Sequence, residues 1–176
     1  MEPETIRQYD RQATGAEMER GEVTHSDENA TWGDLMNTAV MFSSKTDLWE
    51  TPQDFFDSLN KEFSFTLDPC ATPENAKCKK FYTIKEDGLK QNWQGETVFC
   101  NPPYGRAIKD WVKKCYEESL KPNTKVVMLI PARTDTNYFH QYIYHKAKEI
   151  RFIKGRLKFG DSKNSAPFPS MVVVFN

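Results

Sequence analysis

Hydrophobic and polar positions divide this chain near residue 43. Before it the residues are polar and acidic, and the only apolar patch is Leu35, Met36, Val40, Met41 and Phe42. That pattern predicts a flexible acidic arm over residues 1–42 and one folded domain over 43–176. Thr51 before Pro52 predicts a helix start, with Thr51 as N-cap and Pro52 at the first helical position. Phe55, Phe56 and Leu59 then share a face of that helix. Residues 63–67 alternate as a strand closed by Asp68 and Pro69, and residues 75–82 read as a short lysine-rich helix. Residues 97–100 form a short apolar run that Pro102 and Pro103 must end. An amphipathic helix is expected over 107–120, with Ile108, Trp111, Val112 and Cys115 facing inward. Residues 125–130 are a continuous apolar strand of the buried parallel kind, ended by Pro131. Asp135 is placed to cap a helix over 136–148, in which Phe139, Ile143 and Ala147 lie four apart. One strand over 149–159, bent at Gly155, a polar loop over 160–169 and a last strand over 170–175 complete the pattern. Strands and helices in this order predict an α/β layered sheet whose last strands pair antiparallel.

Composition changes this picture little. At 176 residues and 38% hydrophobic content, the chain is long enough for a real core. No apolar run reaches the roughly eighteen residues of a membrane span, and the N-terminus lacks an apolar signal segment. A soluble, cytoplasmic protein with no membrane partner is expected. Cys70, Cys78, Cys100 and Cys115 form no CxxC pair, and the three histidines form no HExxH arrangement, so reduced thiols and no metal are expected.

Charge is more informative. Residues 1–44 carry three basic and nine acidic side chains, whereas residues 45–176 carry twenty-one basic and sixteen acidic ones. A net charge of −6 on the first part and +5 on the second leaves a basic body that is compatible with a polyanionic ligand.

The candidate chemistry lies at strand ends. Asn101-Pro102-Pro103-Tyr104-Gly105 leaves its strand along a rigid path carrying a carboxamide, a backbone carbonyl and an aromatic ring. Fixed acceptors beside a flat ring suit a planar amino-bearing group such as a nucleobase; the same residues also read as a strand-to-turn exit with a local Asn cap. Asp68 ends another strand, where ligands bind in open α/β sheets, although no glycine-rich turn accompanies it. The helix start at Thr51 and Pro52 offers free N–H groups to a carboxylate, or is an ordinary cap. Glu86-Asp87-Gly88-Leu89 is a second acidic turn.

Asn101-Pro102-Pro103-Tyr104 resembles the catalytic motif of S-adenosylmethionine-dependent amino-group methyltransferases. An ordered set of landmarks extends the likeness from about Asp47 to Asn176. The set comprises Trp49-Glu50-Thr51-Pro52, Leu67-Asp68-Pro69-Cys70-Ala71, Glu86-Asp87-Gly88-Leu89, residues 101–105, Leu129-Ile130-Pro131-Ala132-Arg133-Thr134-Asp135-Thr136 and Gly155-Arg156-Leu157-Lys158-Phe159. Together they resemble the phage and prophage DNA adenine-N6 methyltransferase family. The resemblance implies a compact, doubly wound, mostly parallel seven-stranded sheet with an antiparallel C-terminal strand. It implies S-adenosylmethionine as cofactor, with Thr51 and Pro52 near its methionine carboxylate, Asp68, Pro69 and Cys70 against it, and Asp87 near its adenosine end. It also implies DNA as partner, with Asn101 and Pro102 accepting from a flipped adenine, Pro103 stiffening the turn and Tyr104 stacking on the base. Only 33 positions separate Asp68 from Asn101, so the elements between them must be short or missing. Arg106, Arg133, Arg156 and Lys158 are candidate phosphate contacts, Arg133 first among them because it follows a strand end, although solvated surface charge is the plainer reading of each. The same chemistry on an RNA adenine or a protein glutamine amide, and an inactive DNA-binding module, are the competing readings.

Overall fold

A computed structural model of the chain describes residues 49–160 and 164–176. The expected arm over 1–42 and the start of the domain at 43 lie outside the described residues. Helix α1 (Gln53–Phe63) leads into β1 (Leu67–Asp68), β2 (Lys80–Phe81) and β3 (Thr97–Cys100). Helix α2 (Ile108–Ser119), β4 (Lys125–Pro131), a π-helical segment (Phe139–Ile143), β5 (Glu149–Phe152) and β6 (Ser170–Phe175) follow. The strands form one mixed sheet in the order β2-β1-β3-β4-β6-β5. The first four in that order are parallel, and β6 runs antiparallel to both β4 and β5. The fold is therefore mixed α/β with an antiparallel final strand, and the described residues supply six strands rather than seven.

The sheet is covered on both faces because successive residues of β3 point opposite ways. Phe99 packs on Phe56 of α1 with ring centroids 5.1 Å apart, and on Phe65 at 5.3 Å. Cys100, one residue on, meets Cys115 of α2 instead. In β4 every residue from Val126 to Pro131 is buried, as is every residue of β6. This explains their unbroken apolar runs: a strand covered on both faces has no solvent side to alternate with. Trp93 packs on Trp111 of α2 with ring centroids 6.3 Å apart, and both are fully buried. Trp93 is tied by its indole N–H to the Gly88 carbonyl at 3.0 Å and by its backbone N–H to buried Glu118 at 2.9 Å.

Several expected elements differ. Thr51 does not cap α1: Pro52 occupies that position, without a side-chain cap, and the first-turn N–H of Phe55 is taken by Asp54 Oδ1 at 2.8 Å. The expected strand over 63–67 is split, because α1 continues to Phe63 and Ser64 turns left-handed at φ 56°. The lysine-rich helix over 75–82 is absent. The backbone N–H of Lys77 is committed to Asp68 Oδ2 and that of Thr72 to Asn75 Oδ1, and Lys80–Phe81 joins the sheet as β2. The helix over 136–148 shrinks to a wide turn closed by the Tyr144 N–H on the Phe139 carbonyl, and His145 at φ 56° follows it. The strand over 149–159 stops at Phe152, one residue short of its partner's end: Phe152 pairs with Met171, the Ile153 N–H still reaches the Ser170 carbonyl at 3.0 Å, and Pro169, just before β6, has no N–H to give. Gly155 at φ +80° then turns the chain away.

Candidate active site

Strands β1 and β3 are parallel neighbours with Leu67 opposite Val98, so their C-terminal ends emerge side by side. That register brings Asp68 and Asn101 together across 33 positions of sequence. Between them the described chain forms only β2, turns and β3 itself. A cavity of about 220 Å³ opens at this point, lined by Thr51, Asp68, Cys70, Lys77, Asn101 and Pro102 together with Trp49, Glu50, Asn75 and Phe99.

Asp68 is 5% exposed. Its carboxylate accepts the backbone N–H groups of Cys70 at 3.3 Å and Lys77 at 3.1 Å. Burial raises its pKa to about 6, against the lowering effect of those two bonds. It therefore carries a charge that the fold resists, at a strand end open to a ligand.

Asn101 is half-buried, and both ends of its carboxamide are engaged. Nδ2 donates to the Trp49 carbonyl and, at 2.9 Å, to Thr51 Oγ1; Oδ1 accepts the Tyr104 hydroxyl at 2.7 Å. The expected open stacking face of Tyr104 is not found. The ring is 7% exposed and meets Phe159 and Phe168 edge-on at 6.1 and 5.5 Å. Its hydroxyl also reaches the Leu129 carbonyl at 3.2 Å, and burial pushes the phenol well above its ordinary pKa, so it stays a donor. Trp49, whose carbonyl holds Asn101, and Phe168, which packs on Tyr104, are only half-buried and meet edge-on at 5.0 Å.

A second cavity, of about 790 Å³, adjoins the first through Cys70 and Asn75. Its wall includes Pro69, Phe81, Ile84, Glu86, Pro103 and Trp111. Asp87 does not line it, although Glu86 and Gly88 on either side do. The Asp87 carboxylate instead accepts the Leu89 N–H at 3.3 Å and pairs with Lys90 at 3.0 Å. Pro52 lines neither cavity. Sequence pattern assigns no role to Lys77 or Phe168, and no local motif marks them. Trp49, Glu50 and Gly88 stand inside the family-like landmarks without a role of their own. Arg106, Arg133, Arg156 and Lys158 are all exposed; the Arg156 guanidinium donates to the Ala166 carbonyl at 3.3 Å.

The Cys70 and Cys100 sulfurs lie 3.7 Å apart as free thiols, and burial pushes both well above the ordinary thiol pKa. Neither is a nucleophile at neutral pH. Among the described residues no group of three or more His, Cys, Asp or Glu side chains is arranged to hold a metal ion, and no helix is long and apolar enough to cross a membrane.

The model of the family described as DNA N-6-adenine-methyltransferase (Dam) matches residues 38–175. The DNA N-6-adenine-methyltransferase of Haemophilus phage HP1 is 34% identical over 149 residues, 80% of this chain and 85% of that protein. The protein of the same name from Escherichia phage T1 is 35% identical over 113 residues, 63% of this chain and 46% of that one. Among solved structures, a candidate RNA methyltransferase from Pyrococcus horikoshii superposes with a TM-score of 0.40 at 16% identity, covering 71% of this chain and 59% of its own, too loose a likeness to argue from.

Proposed function

The chain belongs to the DNA N-6-adenine-methyltransferase family, and on that footing we propose that it transfers a methyl group from S-adenosylmethionine to the N6 amino group of adenine in DNA. The observation that carries the reading is the placement of Asn101 on the rim of a cavity that also contains Asp68, at adjacent ends of parallel strands.

The two joined cavities fit the proposed cofactor. The smaller is polar and charged at Glu50, Asp68 and Lys77, as an amino-acid end requires; the larger is walled by Pro69, Phe81, Ile84 and Trp111, as a nucleoside requires. S-adenosylmethionine supplies an electrophilic methyl group when bound. Asp68 meets the polar part of the ligand, with Cys70 and Pro69 continuing the wall. Thr51 belongs to the small cavity. Pro52 and Asp87 act through the backbone around them, because neither lines the space.

Adenine N6 is a weak nucleophile because its lone pair is delocalised into the ring. Asn101 Oδ1 already accepts from Tyr104, and a carbonyl oxygen has a second lone pair to offer the amino group. With the Pro102 carbonyl as the other acceptor, the amino hydrogens would be drawn out of the ring plane and the lone pair localised for in-line attack on the methyl group, the surplus N6 proton passing to solvent afterwards. The rate comes from orientation and fixed dipoles rather than from a strong base. Tyr104 holds the amide from behind, while Trp49 and Phe168 are the rings able to meet a base taken out of the stack. Exposed Arg106, Arg133, Arg156 and Lys158 are proposed to take phosphates.

Parallel incubation of the protein with methyl-labelled cofactor and DNA, RNA or protein tests this directly. Label is expected in DNA as N6-methyladenine. Label confined to RNA or to protein would overturn the assignment of acceptor.

A further inference from the structure

Three separated stretches hold one carboxamide. Trp49 and Thr51 approach Asn101 from the segment before α1, and Tyr104 from the turn after β3. A terminal amide torsion is normally broad and two-fold. Here the Trp49 carbonyl can only accept, so the amide nitrogen must face Trp49 and Thr51 and the oxygen must face Tyr104.

We infer that Thr51 is a positioning residue for methyl transfer: its hydroxyl oxygen, 2.9 Å from Asn101 Nδ2, sets the rotation at which the amide oxygen meets the acceptor base. The inference rests on the role of Asn101 proposed above. Thr51 is 3% exposed and does not serve the helix it precedes, since α1 has no side-chain cap. A buried hydroxyl turned away from a cap that its sequence suits is committed elsewhere, and among the described residues the side chain it engages is Asn101. Because a hydroxyl donates while it accepts, the Thr51 proton remains available to the cavity it lines with Asp68 and Lys77. A ligand oxygen that takes this proton fixes the same threonine rotamer that fixes the amide. Occupancy of the small cavity and orientation of the catalytic amide are thereby linked through one side chain.

Valine matches threonine in shape and lacks the oxygen, whereas serine keeps it. In Thr51→Val, kcat should fall about 10- to 100-fold at saturating cofactor, and Thr51→Ser should restore kcat to within about threefold. A second readout needs no turnover. In ¹H–¹⁵N spectra the Asn101 side-chain amide, identified by its loss in Asn101→Ala, should exchange its protons slowly in wild type and about tenfold faster or more in Thr51→Val. Thr51→Ala replaces Thr51→Val in both measurements if thermal unfolding shows the valine protein to be unfolded. Unchanged exchange overturns the inference, as does weakened cofactor binding with kcat intact. If wild type methylates no DNA, or Asn101→Ala stays active, the proposed function fails, while the exchange measurement still decides whether Thr51 holds the amide.

Discussion

Lys77 gives Asp68 its backbone and turns its charge elsewhere. The Lys77 N–H donates to Asp68 Oδ2 at 3.1 Å, whereas its ammonium bonds Gln53 Oε1 at 3.1 Å and lies 3.6 Å from Glu50. Asp68 is thus solvated by dipoles without a contact ion pair, and burial outweighs them in setting its pKa at about 6. A ligand bringing positive charge or hydroxyl donors to this carboxylate favours its ionised form.

Cofactor affinity should therefore rise as pH increases through about 6. Asp68→Ala should lose that dependence and weaken binding at neutral pH by about 1–3 kcal/mol, the scale of a charge-assisted hydrogen bond. Calorimetric titration of both proteins across this range checks it, and a flat wild-type profile would remove Asp68 from the ligand.

Without ligand, the raised pKa of Asp68 makes a statement about stability. Its carboxyl titrates near 3.8 in the unfolded chain and at about 6 in the folded one, so between these values the folded chain holds a proton that the unfolded chain has released. Stability falls as pH rises through that window, by about 3 kcal/mol once the carboxyl is fully ionised, with the penalty absent below the window and complete above it. Denaturant titrations of wild type and Asp68→Asn should diverge in their pH dependence between about pH 4 and 6; parallel profiles would mean that the carboxyl is not desolvated.

Asn101→Ala should abolish methyl transfer and leave cofactor affinity within about threefold, because the amide bonds to Trp49, Thr51 and Tyr104 and is assigned to the base. Single-turnover assays beside binding isotherms separate the two effects. Activity within a few-fold of wild type would dismiss the assignment.

What was legible in the sequence follows from what local pattern can encode. β3, β4, α2 and β6 were readable because each carries a local signal, an apolar run in the strands and a helical period in α2, and the first three have a proline at their end: Pro102 after β3, Pro122 after α2, Pro131 as the last residue of β4. Phe63, Phe65 and Leu67 misled because a helix end followed by a left-handed turn also spaces apolar residues by two. The extent of β5 is set by where β6 begins, and the loop over 75–79 by Asp68, neither of which is a local property. In the site, Asn101 and Asp68 were visible as strand-end polar residues. Thr51 was visible as a polar residue but not as a partner of Asn101, because that bond spans 50 positions.

Gly88 should tolerate no side chain. An added Cβ would lie 1.9 Å from the Pro69 carbonyl oxygen and 3.1 Å from the Trp111 ring, where both cavity wall and core must shift. Gly88→Ala should cost at least the roughly 1–3 kcal/mol typical of overpacking and weaken cofactor binding as well. Thermal unfolding and binding of the variant check this, and a melting temperature equal to wild type would contradict the close approach.

Residues 1–37 precede the family match and carry nine acidic and three basic side chains. Removing them should leave cofactor affinity and methylation intact. DNA affinity measured at two salt concentrations supplies the check: tighter binding on truncation, greatest at low salt, would show that this segment competes with DNA for the basic body.

Strand β6 lies inside the sheet, and β5 reaches the rest of the sheet only through it. The amides of β5 can then be no better protected from hydrogen exchange than those that β6 offers it, whereas β6 can stay paired to β4 when β5 detaches. The backbone just before β6 is tied to the residue after β4 as well. The Pro169 carbonyl accepts the Ala132 N–H at 2.9 Å, and neighbouring Phe168 packs on both Trp49 and Tyr104. The chain thus has two tiers of opening: a shallow one that frees β5 and spares the aromatic cluster beside Asn101, and a deep one through β6 that undoes it.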